Sequence, residues 1–187
     1  MRAGLTAQGS GGIQMIIRTY IRAVDAINDW VGRTVMWLFL ALTATVLIDM
    51  FKRYLTGAST VWAFDINYMI YAVNFMLAGG FCLLHEKHVR VDAFYNMMPI
   101  RWRGILEIVF YVVLLFPMTF FCLKATWLNF IQAVMSKEIS IVSPWHPPVY
   151  HFKFVMPLAF FLLLIQEIAQ FIRYVYQTVK GVPYESK

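Results

Sequence analysis

Four apolar runs constrain this chain more than any other feature. Residues 34–48, 66–84 and 108–123 contain no charged side chain, and 154–172 contains only Glu167. A helix crossing the hydrocarbon core of a bilayer needs about 20 predominantly apolar residues. Allowing for less polar flanks, the spans are expected at about 31–51, 61–84, 106–124 and 154–172. The composition agrees, because 60% of residues are hydrophobic and only 14% charged, against about 25% charged in soluble domains. An ordinary soluble globule and a disordered segment are both excluded, and two cysteines give no disulfide framework. The fold class expected is therefore an all-α membrane protein of four transmembrane helices.

Orientation follows from the basic residues. Eleven Lys and Arg fall in the N-terminal segment, the second loop and the tail, against five in the first and third loops, where Lys124 is counted with Lys137 and Lys153. Positive residues collect on the cytoplasmic side, which predicts both termini there. The net charge of +6 is thus a sign of topology, and no nucleic-acid partner is expected. Residues 1–12 are polar and Gly-rich, so no cleavable signal is expected and the first span serves as its own insertion signal. Gly57 to Thr60, Pro99 and the group Pro144, Pro147 and Pro148 punctuate loops too short for a soluble domain. The organisation expected is a cytoplasmic segment 1–30, a membrane unit 31–172 and a cytoplasmic tail 173–187.

Within the first segment, Ile13, Ile16, Ile17, Tyr20, Ile21, Val24, Ile27 and Val31 recur at the spacing of one helix face, with Arg18, Arg22, Asp25, Asp29 and Arg33 opposite. An interfacial amphipathic helix on the cytoplasmic leaflet fits this pattern; a plain extension of the first span fits it equally. Arg22 with Asp25, and Asp29 with Arg33, have the spacing of weak surface pairs.

Candidate chemistry is sparse. His85 and His88 have a metal-compatible spacing beside Glu86 and Asp92, yet two ligands make no site. A haem-binding anchor of a respiratory oxidoreductase is the alternative function, but it needs axial ligands, and no charge-free run holds a His. Cys82 and Cys122 are expected as small buried packing residues. No phosphate loop or nucleophile motif is present, so neither enzymatic activity nor a cofactor or metal is expected. Asp49, Asp65, Glu107 and Glu167 fall near expected span ends, and Glu167 is expected to snorkel or to pair inside the bundle. Four helices without a repeat are too few for a secondary transporter acting alone, which points to an auxiliary subunit.

At the second span the residues become specific. Trp62-Ala-Phe-Asp65, then Asn74, Ala78, Gly79 and Gly80, then His88-Val89-Arg90-Val91-Asp92 and Pro99-Ile100-Arg101 form one block. With Ser143-Pro144-Trp145 and Pro157, it resembles the small membrane subunit of the tripartite ATP-independent periplasmic (TRAP) transporters, the DctQ-like family, over roughly 31–172. Asp65 departs from the resemblance, since that pattern carries Glu at this place. The resemblance implies a multi-pass protein of the bacterial inner membrane that scaffolds a large DctM-like membrane subunit. A DctP-like periplasmic binding protein would deliver an organic anion, commonly a carboxylate, for uptake driven by an ion gradient.

Within that reading, Trp62, Asp65, Gly79, Gly80, His88, Arg90 and Asp92 are candidates for a subunit-interface or structural role. Trp62 and Asp65 lie one turn apart, where local helix capping explains them equally well. The small residues from Ala78 to Gly80 permit a close helix crossing. Arg101 and Arg103 are expected at lipid phosphates.

Overall fold

The computed structural model describes residues 4–58, 60–85, 99–141 and 143–180, with side chains from Met15 onward except those of Ile100, Arg101, Arg103 and Lys180. Its helices are α1 (Gly4–Thr56), α2 (Ala63–Leu84), α3 (Ile100–Phe110), a π turn (Tyr111–Leu115), α4 (Phe116–Met135), α5 (Tyr150–Lys153) and α6 (Val155–Lys180). Among the described residues, four helical segments are long and apolar enough to cross a membrane: Met15–Thr56, Ala63–Leu84, Gly104–Met135 and Tyr150–Val179.

Three boundaries differ from expectation. First, no helix boundary separates the amphipathic segment from the first span: α1 continues through both without a break, as the plain-extension alternative has it. Part of its apolar stripe is covered by protein, because Ile21 and Val24 are buried against Ala169 of α6, with Ile17, Tyr20, Ile165 and Ile172 around them, while Ile16 and Ile27 stay exposed. Second, the third span runs from Ile100 to Met135 through the π turn. The cause is Pro117, which has no N–H to give the carbonyl four residues back and would crowd it in a regular helix. The wider turn accommodates it, with the Phe116 N–H donating to the Tyr111 carbonyl. Lys124 therefore stands inside α4 rather than in the third loop. Third, α6 continues to Lys180, which puts Glu167 in mid-helix rather than near its end.

α6 is the centre of the bundle. Its most apolar window is 39% buried, against 6% for that of α1. One cluster joins it to α1, and a second joins Tyr174 to Leu83 of α2 and to Tyr111 in the π turn. α1 meets α2 closely: a methyl group placed at Gly80 would overlap the Asn28 amide, and one at Gly32 would overlap the Phe81 ring. Gly79 has room, since a methyl group there would lie 4.0 Å from Leu163. Much of the remaining surface is large apolar side chains such as Trp37, Phe51, Tyr54, Phe75 and Phe121. In water this would be an aggregation liability; next to lipid or another membrane helix it is ordinary.

Candidate functional site

Two polar assemblies hold the bundle, one at each end of α2. The first is built on Asp65, in the opening turn of α2. Its carboxylate is only 2% exposed. It accepts a hydrogen bond from Ser140 Oγ at 2.8 Å and another from Ser143 Oγ. Both serines belong to the connection between α4 and α5. That connection leaves α4 through Lys137, whose φ of 48° is left-handed. Lys137 N–H donates to Val134 O and Glu138 N–H to Ala133 O, the pairing of a Schellman cap. Farther on, Ser140 N–H donates to the Pro147 carbonyl at 2.9 Å and Val149 N–H to the Glu138 carbonyl at 3.1 Å, folding the segment back on itself. Lys153 Nζ lies 2.6 Å from Glu138 Oε2 and fastens the base.

The neighbouring connection is held in the same way. Asp49, near the end of α1, accepts the Thr60 backbone N–H at 2.7 Å and pairs with Arg53 at 3.2 Å. Trp62 precedes α2 in the N-cap position, makes no side-chain capping bond and is partly exposed. Trp62 and Asp65 thus face different surroundings: the ring looks outward and the carboxylate inward.

The second assembly lies where α1, α2 and α6 meet. Asn28 Nδ2 donates to Gln166 Oε1 at 2.9 Å, and Gln166 Nε2 donates to Asp25 Oδ1 at 3.1 Å. Asp25 also pairs with Arg173, whose guanidinium donates to Gln170 Oε1 at 3.0 Å. Gln170 Nε2 in turn reaches the Leu83 carbonyl at 3.1 Å, near the C-terminal end of α2 where carbonyls lack helix partners. Asn28, Gln166 and Gln170 are almost fully buried. Next to Gln166 in sequence, Glu167 is fully buried, and Thr119 Oγ1 donates to its Oε1 at 2.6 Å.

The sequence pattern pairs Asp25 with Arg22; the structure gives it to Arg173, and leaves Arg22 exposed. The Asp29–Arg33 pair is present at 2.7 Å. Cys82 is exposed and Cys122 partly so, which corrects the expectation that both are buried. The network itself was missed. Its signal was available, since Gln166, Glu167 and Gln170 interrupt an otherwise apolar run at helical spacing and Asn28 stands in the apolar stripe of α1.

Gly80 is brought to Asn28 of this network, whereas Gly79 faces Leu163. His88, Arg90 and Asp92 lie outside the described residues. Arg101 and Arg103 fall in the first turn of α3, with their side chains outside the described set. His85 ends α2, its Nδ1 3.1 Å from the Phe81 carbonyl. Among the described residues, no three His, Cys, Asp or Glu side chains are grouped to hold a metal ion.

Polar side chains in both assemblies bind helix to helix and loop to helix, and the apolar faces look outward. The molecule has the architecture of a multi-pass helical membrane protein. The tripartite ATP-independent periplasmic transporter family, DctQ component, matches residues 42–176. The chain belongs to that family, which is a family of transporter components and not of enzymes. No curated protein matches the chain.

Proposed function

We propose that this chain is the small subunit that scaffolds the large DctM-like permease subunit in the bacterial inner membrane, with both termini in the cytoplasm. Uptake is of an organic anion such as a carboxylate, delivered by a DctP-like periplasmic binding protein and driven by an ion gradient. The observation that carries the scaffold role is the match to the DctQ component over most of the bundle. A bundle with so much apolar surface turned outward supports it. Substrate class and driving force follow from the family resemblance alone.

Within this reading, Asp65 and Gly80 act by shaping the chain, one through the Ser140–Ser143 segment and the other through the α1–α2 crossing. Trp62 sits where it meets lipid headgroups or the partner. His88, Arg90 and Asp92 are assigned to the loop that meets the large subunit, and Arg101 and Arg103 to lipid phosphates. The test is co-purification and uptake. A tagged chain extracted in mild detergent should carry a separate multi-helix membrane protein with it, and its deletion should abolish substrate uptake. Full uptake by a strain lacking this chain would overturn the proposal.

A further inference from the structure

Lys124 is a charge in the wrong place for a lipid-facing helix. It is exposed on the outside of α4, and no hydrogen bond or ion pair joins it to any described residue. Its depth is fixed by the cross-links between α4 and α6. On one side the Phe130 and Phe154 rings approach at 5.3 Å, and on the other Thr119 bonds to Glu167. Lys124 stands between these two contacts. The charged residues bounding that part of α6 are Lys153 and Arg173, about 30 Å apart along the helix, which is the thickness of the hydrocarbon core. Lys124 is therefore deep within the core.

Snorkelling is a poor remedy here. The nearer end of the helix, Met135, is about 16 Å away at 1.5 Å per residue. Helical side chains lean toward their own N-terminus, so Lys124 leans away from that end.

Around Lys124 is a groove of about 530 Å³ whose other lining side chains are all apolar. On α4 the groove takes Phe120, Leu123, Lys124 and Trp127, and on the other wall Phe154, just before α6, with Pro157, Leu158 and Phe161 of α6. The four residues from Phe154 to Phe161 stand at i, i+3, i+4 and i+7 and so line one face, leaving a furrow between two helices. Apolar walls give no preference for a helix over lipid tails; the unpaired ammonium does, because charges at this depth pair with one another or line a cavity. A second copy of the chain offers no match, since the four apolar runs together hold one acid, Glu167, which is buried and bonded to Thr119.

We propose that Lys124 and its groove seat a transmembrane helix of the large permease subunit that presents a carboxylate at this depth. The proposal rests on the reading of this chain as the small subunit, and it adds the place and the charge of the contact.

The test uses the full chain co-expressed with a DctM-like large subunit from the same organism. A photo-crosslinking residue at Leu158 should join the two proteins in native membranes. Lys124→Met should lower recovery of the large subunit about tenfold, because the partner carboxylate is left buried and unpaired. The membrane level of the chain itself should be unchanged, since Met suits lipid as well as a partner does. Lys124→Arg should retain recovery within about twofold. Lys124→Glu should lose it, and an acid-to-Lys change on the cross-linked helix should restore it. Unchanged recovery with Lys124→Met, or cross-linking at Leu158 to lipid or to a second copy only, would overturn this contact while leaving the scaffold role standing. Failure of the unmodified chain to recover any large subunit would overturn both.

Discussion

Replacing Asp65 tests whether the α4–α5 connection is held by one buried carboxylate. Asp65→Ala removes both acceptors, for Ser140 at 2.8 Å and for Ser143, from a position that is 2% exposed. Hydrogen bonds to a charged group contribute about 1.5–3 kcal/mol each, and the two share one anchor, so a combined loss of about 3 kcal/mol is expected. Asp65→Asn keeps one carbonyl oxygen and should cost about 1 kcal/mol. Asp65→Glu restores the residue type of the family pattern but carries its carboxylate one methylene past the positions to which Ser140 and Ser143 donate, at about 1–2 kcal/mol.

Thermal unfolding in detergent should follow that order, with Asp65→Ala melting roughly 6–12 °C below the parent at about 2–4 °C per kcal/mol for a chain of this size. Trypsin cleavage after Lys137 supplies a local readout. If the connection opens in equilibrium, about 3 kcal/mol raises its open population, and so its cleavage rate, about a hundredfold. An Asp65→Ala protein that melts within about 1 °C of the parent and resists trypsin equally would refute this account of the loop.

Gly80→Ala should destabilise by about 1–3 kcal/mol through overlap with the Asn28 amide, whereas Gly79→Ala, with its nearest neighbour at 4.0 Å, should change melting little; equal effects would mean that α1 does not cross α2 at Gly80. Lys137→Gly should raise the melting temperature by a few degrees, since a left-handed residue with a side chain costs about 1 kcal/mol that glycine does not; no gain would mean the cap is relaxed in solution. In a double-mutant cycle, Asp25→Ala and Arg173→Met should couple by about 1–2 kcal/mol, and additive losses would argue against their pairing.

Much of the bundle is legible in the sequence because a span announces itself by length and polarity alone. Residues 66–84 read as a helix, and the structure places Ala63–Leu84 there. What the sequence hid depends on partners far away in the chain. The amphipathic stripe through Ile21 and Val24 reads the same whether it meets lipid or protein, and only α6, more than a hundred residues on, decides between them. Asp25 had a plausible helical neighbour in Arg22 and instead pairs with Arg173. Pro117 looked like an ordinary member of an apolar run, yet it brings a π turn into the third span. Asp65 was legible as a singular acid in a specific block, but its serines lie 75 and 78 residues away, so capping and bridging could not be told apart.

These same long-range contacts account for how a small membrane protein keeps a fixed shape. Helices in lipid gain little from burying apolar surface against one another, because lipid tails are equally apolar. Close approach and hydrogen bonding must supply the specificity instead. This chain uses both at one place, where Gly80 lets α1 come near and Asn28, on the approaching face, bonds onward to Gln166 and through it to Asp25. Asp65 performs the corresponding task at the other end of α2, tying the α4–α5 connection to the helix. With both ends of α2 fixed by buried polar contacts, the outward faces of the bundle are free to vary with what they meet, so a charge such as Lys124 is informative. Nothing in the fold requires it there, and its place on the outer surface assigns its purpose to a neighbour.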